Sequence, residues 1–474
     1  MSQKRIEPKQ AGRREFLRRT GAGFGMVALT ALLDQEGLLA APAPSNPSGA
    51  PLPPLPAYRI PATAKSVIWL FMEGAPSSID LFDFKPEITK RDGQQAGGKI
   101  DVFFGSPGPL MKSPFAFKQY GRSGAWISAP YAALAPCIDE IAFIKSVYTA
   151  SNNHAPALYQ MNTGFSQPGY PAAGSWVNYG LGTQNRNLPG FIVMQNRIGT
   201  KGGPLNWSAG FLPSAYQGTT FRSEGAPVLN LNLPPDLSRE QQRAQLDLMA
   251  TLNGEHRRLH PAEGDLEGRI QSFELAYRMQ AEAQGVIDLS QETEETRRLY
   301  GLDKTPTCSY GKKLLLARRM VEKGVRFVQA YSDNEWDAHT GLTENHTARC
   351  AETAIPVAGL LTDLKRRGML DSTLVIWGGE FGRMPVSEKG NGRDHNPHGF
   401  TVWMAGGGIK GGAHYGATDE IGHRAVTDPV SINDLHATIL HLMGIEHTQL
   451  TYRFNGRDFR LTDVAGKVLH DIIA

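Results

Sequence analysis

Short, nearly all-apolar runs alternate with amphipathic stretches along the chain, and this alternation constrains the fold more than any other feature of the sequence. The run KSVIWLFM at Lys65–Met72 has the pattern of a strand that is buried on both faces. Five further runs are of the same kind: Ile141–Val147, Phe191–Gln195, Val325–Tyr331, Thr373–Trp377 and Phe400–Ala405. Amphipathic helices are predicted at Tyr310–Lys323 and Ile355–Arg367. The alternation predicts an α/β fold with a mostly parallel sheet sandwiched by helices.

The first 41 residues resemble a twin-arginine export signal. Arg13 and Arg14 precede a basic segment and an apolar stretch at Gly21–Leu33, which is too short to span a bilayer as a helix. Such a signal implies recognition by the twin-arginine export machinery and a periplasmic or secreted protein. The alternative interpretation is an amphipathic helix of the mature domain.

The composition of the remaining residues indicates a linker followed by one large domain. Residues 42–63 contain eight prolines and are expected to form an extended linker. Residues 64–474 are expected to form the α/β domain, with a charged, Gln-rich helical insertion at 237–300. The mature chain has no run of about 18 apolar residues, so no transmembrane segment is predicted.

Charge and cysteine content exclude two classes of function. The first 41 residues carry seven Lys/Arg and four Asp/Glu, which accounts for the whole formal charge of +3. The remaining chain is formally neutral, so nucleic acid is not an expected partner. The three cysteines form no C-x-x-C pair, which argues against a thiolate zinc site.

Acidic and imidazole side chains follow the predicted strands. Ligands of parallel sheets bind beyond the carboxyl ends of the strands, so these residues are expected at one edge. Seven of them are candidate metal ligands: Glu73, Asp337, His339, Glu380, Asp394, His395 and His398. Carboxylates and imidazoles are the ligands of divalent metal sites. The alternatives are a cap of the next turn for Glu73, and solvated or backbone-bonded loop positions for the others.

Four stretches of this chain resemble the alkaline phosphatase/sulfatase superfamily, and together they span residues 65–445. They are VIWLFMEGAPSSIDLFD, HAPALYQMNTG, GMLDSTLVIWGGEFGR, and the pair FTVWMAGGGIKGG and VSINDLHATILHLMGI. The motifs WDAH, EFGRMP and GRDHNPHGF resemble more specifically an uncharacterised family of twin-arginine-exported, sulfatase-like bacterial proteins.

The resemblance implies an alkaline-phosphatase-like fold and one or more divalent metal ions, with zinc, calcium and manganese as candidates. It places Glu73 on an acidic metal ligand and Glu380 on the Asp of an S-D-H-G motif. This chain departs from the pattern at three positions. His154 occupies the nucleophile position, Leu158 replaces an anion-binding Arg, and Phe381 replaces a metal-binding His.

The catalytic candidates are His154, Asn153 and Arg383. His154 can act as a metal ligand, a general base or a nucleophile, and we favour the first two roles. Ser151, Asn152 or Asn153 can instead hold the catalytic position. Arg383 and Arg393 are candidate anion clamps, with surface salt bridges as the alternative.

Two hypotheses of function follow. The first is an exported metal-dependent hydrolase of sulfate or phosphate esters, whose substrate is a small molecule or a glycan ester. The second is a non-catalytic periplasmic binding protein for sulfated or phosphorylated glycans, which the three departures favour. We favour the hydrolase, because new candidate ligands stand near the lost ones.

Overall fold

The computed structural model of the protein describes residues 56–474 except for 98–99, 101, 104, 197, 223–227, 229–232, 234–235 and 260–263. The predicted signal at 1–41 and residues 42–55 of the predicted linker lie outside the described residues. Residues Pro56–Ala474 form one compact unit. None of the helices in its described part combines the length and apolar character that a membrane span requires.

The strands are short, and most of the longer ones coincide with the apolar runs of the sequence. In chain order they are β1 (Ser66–Phe71), β2 (Phe117–Tyr120), β3 (Ala125–Ser128), β4 (Ile141–Tyr148), β5 (Phe191–Met194), β6 (Thr219–Phe221), β7 (Phe327–Tyr331), β8 (Thr373–Gly378), β9 (Gly382–Arg383), β10 (His395–Asn396), β11 (Phe400–Ala405), β12 (His414–Tyr415), β13 (Ala417–Thr418), β14 (Ala425–Thr427), β15 (Val430–Ser431), β16 (Tyr452–Phe454) and β17 (Arg457–Phe459).

Nine of these strands, within the described residues, form the central sheet. Their order is β12-β4-β11-β8-β1-β7-β5-β6, with β15 beside β4. All pairings are parallel except those of β11, which is antiparallel to β4 and β8. The predicted mostly parallel sheet is therefore confirmed.

Helices cover both faces of the sheet. Alternate residues of β1 point to opposite sides, so Leu70 joins one apolar core and Trp69 joins the other. The α-helices of the described residues are Ser78–Leu81, Pro86–Lys90, His154–Thr163, Ala173–Leu181, Arg239–Leu259, Gly264–Ile287, Glu294–Leu299, Cys308–Glu322, Leu342–Arg366 and Ile432–Leu442. The helices Cys308–Glu322 and Leu342–Arg366 pack in the first core, and His154–Thr163 and Ile432–Leu442 pack in the second.

One predicted helix is much longer than expected. The amphipathic pattern of the sequence predicted a helix at Ile355–Arg367. The helix instead begins at Leu342 and contains Pro356 in its interior. Its earlier turns bury His346 and Cys350, which weakens the apolar signal in the sequence.

The last residues of the predicted linker contact the sheet domain. Ile60 N–H donates to the Gly444 carbonyl at 3.0 Å, and Thr63 Oγ1 donates to the Gly407 carbonyl at 2.8 Å. Residues 237–300 contain the helices Arg239–Leu259, Gly264–Ile287 and Glu294–Leu299.

The carboxyl ends of five strands meet at one edge of the sheet. β1, β4, β5, β7 and β8 all run in the same direction, so the loops that follow them share this edge. These loops carry most of the predicted site residues.

Candidate metal centre

Two glutamates leave the neighbouring strands β1 and β8, and both are completely buried. Glu380 accepts the Gly74 N–H at 3.0 Å. Glu73 accepts the Asn196 side-chain N–H at 2.5 Å and the Lys201 backbone N–H at 2.6 Å. Burial, with the negative charge of Glu380, raises the pKa of Glu73 to about 8. Glu73 is therefore mostly protonated at neutral pH.

His154 is held between two carboxylates. It begins the helix His154–Thr163, its Nδ1 lies 2.6 Å from Glu380 Oε1, and its Nε2 lies 3.1 Å from Asp337 Oδ2. Burial lowers the pKa of His154, but the bonds to Asp337 and Glu380 outweigh burial and leave this pKa raised. The contact of Nδ1 with Glu380 thus orients the ring of His154 so that Nε2 points toward Asp337.

Asp337 is the carboxylate on which the surrounding groups converge. Its Oδ1 lies 2.7 Å from Arg383 Nη2 and 3.2 Å from His339 Nε2. Burial acts to raise the pKa of Asp337, but bonds from His154 and His395 and the charge of Arg383 hold it well below its usual range. Asp337 is therefore ionised at neutral pH.

His339 and His395 face each other through Nε2, at 2.9 Å. Their Nδ1 atoms point outward, to Glu388 Oε2 at 2.5 Å and to the Asn152 carbonyl at 2.6 Å. Both outer partners accept hydrogen bonds, so each Nδ1 carries a proton, and Nε2 is the atom of each ring that faces the other ring. Burial lowers the pKa of His395 to about 4, which keeps that ring neutral at pH 7.

The donor atoms fit a divalent transition metal. His154, Asp337, His339 and His395 each bring one ligand atom within 4.8 Å of the others. Three imidazole nitrogens and one carboxylate suit zinc or manganese better than calcium, which takes oxygen ligands. All three imidazoles also bond an acceptor through Nδ1, as metal-binding histidines do.

The other predicted ligands are not members of this group. Asp394 joins His339 and Glu388 in a second group of candidate ligand atoms, and it also accepts the backbone N–H of His395 at 2.8 Å. Neither group contains Glu73, Glu380 or His398. The ring of His398 lies edge-on to the ring of His423, with centroids 5.5 Å apart.

Both predicted anion-binding arginines are buried. Arg383 donates to the carbonyls of Gly74, Ala75 and Arg393 and to Asp337, so its fork ties together loops of the site. Arg393 forms a fully buried ion pair with Asp80 at 2.7 Å. These contacts favour positioning roles, and neither guanidinium lies at the surface.

Glu388 and Lys201 belong to the site, although the sequence did not single them out. Lys201 Nζ lies 2.9 Å from Glu335 and 3.3 Å from Asp337, and its side chain is 32% exposed. Lys201 follows β5 at the shared edge, and that position was the available signal. Glu388 lies in a polar loop, and the residue pattern of that loop does not indicate a site residue.

Aromatic rings border the imidazoles. The ring of Phe381 packs against His154 and His395, with centroids 4.9 and 4.6 Å away. Phe103 stacks on His395 at 5.3 Å. Asn153 precedes His154 at the start of the helix and is exposed. Apolar rings thus limit water beside the ligand group, while Asn153 faces solvent.

A family model described as a protein of unknown function, DUF1501, matches residues 64–473. No curated protein sequence matches the chain.

Several solved structures align with most of the chain at low similarity. The alkaline phosphatase from the Antarctic bacterium TAB5 is 12% identical, with a TM-score of 0.35 over 80% of this chain and 98% of that chain. A lipoteichoic acid synthase from Listeria monocytogenes is 10% identical, with a TM-score of 0.33 over 84% and 76%. A sulfatase from Pseudoalteromonas sp. is 12% identical, with a TM-score of 0.29 over 80% and 68%. These values assign no activity to the chain.

Proposed function

The chain belongs to the DUF1501 family of proteins of unknown function, and from the geometry of its candidate metal centre we propose that it is a metal-dependent hydrolase of phosphate or sulfate esters. The observation that carries the proposal is the convergence of His154, His339 and His395 on Asp337. Zinc or manganese is the proposed ion. When bound, the ion neutralises an anionic ester group and lowers the pKa of a nucleophilic oxygen.

The residues of the chain have separate roles in this proposal. Asp337 stays ionised and holds the ion together with the three imidazoles. Lys201 offers a partly exposed ammonium beside Asp337, where it binds the charged group of an ester. Phe381 restricts water next to the imidazoles, and Asn153 contacts the substrate from the solvent side.

His154 is proposed as a ligand or a general base. Both of its ring nitrogens are already bonded to carboxylates, so attack by Nε2 requires loss of the Asp337 contact. Ionised Asp337 instead keeps Nε2 directed at the ligand group. An ion held by both Nε2 and Asp337 would keep these groups together, whereas a phosphoryl group on Nε2 would separate them, so we favour the first two roles.

We also propose export through the twin-arginine pathway, to the periplasm or beyond. The support is the sequence around Arg13 and Arg14. Replacing both arginines by lysine is expected to leave the protein in the cytoplasm, as cell fractionation would show. An unchanged distribution would contradict this route.

The hydrolase is tested by turnover of 4-nitrophenyl phosphate and 4-nitrophenyl sulfate after loading with zinc or manganese. Turnover is expected for one of the two esters and is expected to be lost in Asp337→Ala. His470→Ala is a matched control, because His470 is an exposed histidine near the carboxyl terminus that contacts His441. Full activity in Asp337→Ala would contradict the proposal.

A glycan-binding protein is the second candidate. It is favoured by the burial of Leu158 and Phe381, which leaves apolar side chains where the superfamily resemblance implies an anion-binding Arg and a metal-binding His. Binding of a sulfated or phosphorylated glycan without turnover of any ester would support it. Turnover that depends on His154 would exclude it.

A further inference from the structure

A tight β-turn places Glu388 beside the imidazole cluster. Glu388 and Gly392 exchange backbone hydrogen bonds at 2.8 and 3.0 Å. Between them, Lys389 and Gly390 have positive φ angles of 51° and 86°, which fold the chain back on itself. The carboxylate of Glu388 therefore projects from a backbone that is fixed by its own turn.

This turn is packed tightly against the backbone that carries His339. The N–H of Arg393 donates to the Ala338 carbonyl at 3.0 Å, and the N–H of Leu342 donates to the Asn391 carbonyl at 2.9 Å. A Cβ atom at Gly392 would lie 2.1 Å from the His339 carbonyl oxygen, so only glycine permits the approach. The two segments are thus held at a fixed separation.

The side chains complete this arrangement. Glu388 Oε2 lies 2.5 Å from His339 Nδ1, and the Glu388 side chain is only 10% exposed. The nearby carboxylate of Asp394 is 3.7 Å from the same nitrogen and accepts the backbone N–H groups of Phe103 and His395. Of these two carboxylates, Glu388 is the one at hydrogen-bond distance from His339 Nδ1.

We propose that Glu388 is a positioning residue that fixes the Nδ1–H tautomer of His339 and directs its Nε2 into the metal centre. A carboxylate accepts but does not donate, so it keeps a proton on Nδ1 and leaves Nε2, which faces His395 and Asp337, as the atom that would coordinate an ion. The assignment rests on the proposed metal centre. It adds a residue that neither the sequence motifs nor the family description assigns.

The test measures zinc affinity by competition with a chromophoric chelator, in the full chain, without an activity assay. Glu388→Ala is expected to bind zinc about 10–100-fold more weakly than the parent protein. Glu388→Gln keeps the side-chain volume and an acceptor oxygen, so its loss is expected to be smaller. Glu335→Gln is the control: it removes one negative charge at the same edge from a residue that contacts Lys201.

Imidazole ¹⁵N spectra of the zinc-loaded proteins provide a second readout that a general loss of packing would not produce. The parent protein is expected to show His339 protonated at Nδ1 alone, and Glu388→Ala is expected to show exchange between tautomers. A failure of Glu388→Ala to fold leaves the comparison with Glu388→Gln, which preserves shape.

The outcomes separate this inference from the proposed function. A parent protein that binds no zinc would contradict the metal centre itself. If the parent protein binds zinc and both Glu388 variants bind it with the affinity of the parent protein, the role of Glu388 is overturned and the metal centre is not. A fall from two bound ions to one, at unchanged affinity, would also overturn it, because Glu388 would then be a direct ligand of a second ion.

Discussion

The Nε2 atoms of His339 and His395 lie 2.9 Å apart, although 56 positions separate the two residues in the sequence. Each ring bonds an acceptor through its Nδ1, so the two Nε2 atoms are the ring atoms left to bind an ion. A bound cation would be ligated by both Nε2 atoms in place of their direct contact. The relationship is therefore the most direct structural argument for a metal ion.

Gly74 is expected to be essential for the position of Asp337. Its φ angle is +96°, and a Cβ atom there would lie 2.6 Å from the backbone nitrogens of Trp336 and Asp337. Gly74→Ala is expected to displace this segment, to weaken zinc binding and to cost about 1–3 kcal/mol of folding free energy. Chelator competition and thermal unfolding measure the two effects.

Gly93→Ala is the control for Gly74→Ala. Gly93 also has a positive φ angle, +78°, but a Cβ atom there would have open space around it. It carries the backbone strain without the close approach to Asp337. Equal zinc affinity in the two variants would contradict the role given to Gly74.

Arg383 is expected to act on stability rather than on substrate binding. Arg383→Lys cannot replace the bonds to the carbonyls of Gly74, Ala75 and Arg393 and to Asp337. Leaving part of this buried network unsatisfied is expected to cost about 1–3 kcal/mol in denaturant unfolding. Arg457→Lys, at an exposed ion pair with Asp463, is expected to change stability by less than about 1 kcal/mol. A raised KM with unchanged stability in Arg383→Lys would instead support an anion clamp.

The pKa of Glu73 predicts a pH-dependent stability in the presence of a chelator. Burial, with the charge of Glu380, raises this pKa from 4.5 to about 8, so the folded protein binds a proton that the unfolded chain releases. The contribution to stability is fully present below pH 4.5 and is lost as the pH rises to about 8. Thermal unfolding at intervals across this range measures the loss.

Glu73→Gln is expected to flatten this dependence. The raised pKa of His154 acts in the same direction, because its stabilising contribution is full below pH 6.5 and is lost as the pH rises through the folded-state value. A residual slope above pH 6.5 is therefore expected in Glu73→Gln. Identical profiles for the variant and the parent protein would show that Glu73 is already ionised.

Lys201 is expected to bind the charged group of the ester. Lys201→Ala removes one charge-assisted hydrogen bond, worth about 1.5–3 kcal/mol, so KM is expected to rise about 10–100-fold. Lys201→Arg is expected to recover part of the loss, and Lys118→Ala, at an exposed lysine of β2, is the control. An unchanged KM in Lys201→Ala would remove Lys201 from the substrate site.

The sequence predicted the sheet, because buried strands have continuous apolar runs. It also predicted that the ligand-bearing loops lie at one edge of that sheet. Glu73, Asp337 and Glu380 follow such runs, and parallel pairing brings them to one edge. His339 and His395 were predicted as site residues for the same reason and from the motifs around them.

The rest depended on loop geometry that the pattern of residues does not encode. Glu388 is directed at His339 by a turn in which Gly392 permits a close approach. Arg383 and Arg393 have the polar loop positions that suggest a surface location, but the fold buries both of them as positioning groups. The nitrogen-rich donor set, which disfavours calcium, also depends on the positions of the three imidazole rings in the fold.

The most direct test of the account is the metal content, by mass spectrometry, of folded protein purified without added metal or chelator. One or two transition-metal ions per chain are expected, with a clear loss in His395→Ala and none in His470→Ala. A protein that holds no metal, even after incubation with zinc and manganese, would contradict the metal centre and the hydrolase that depends on it.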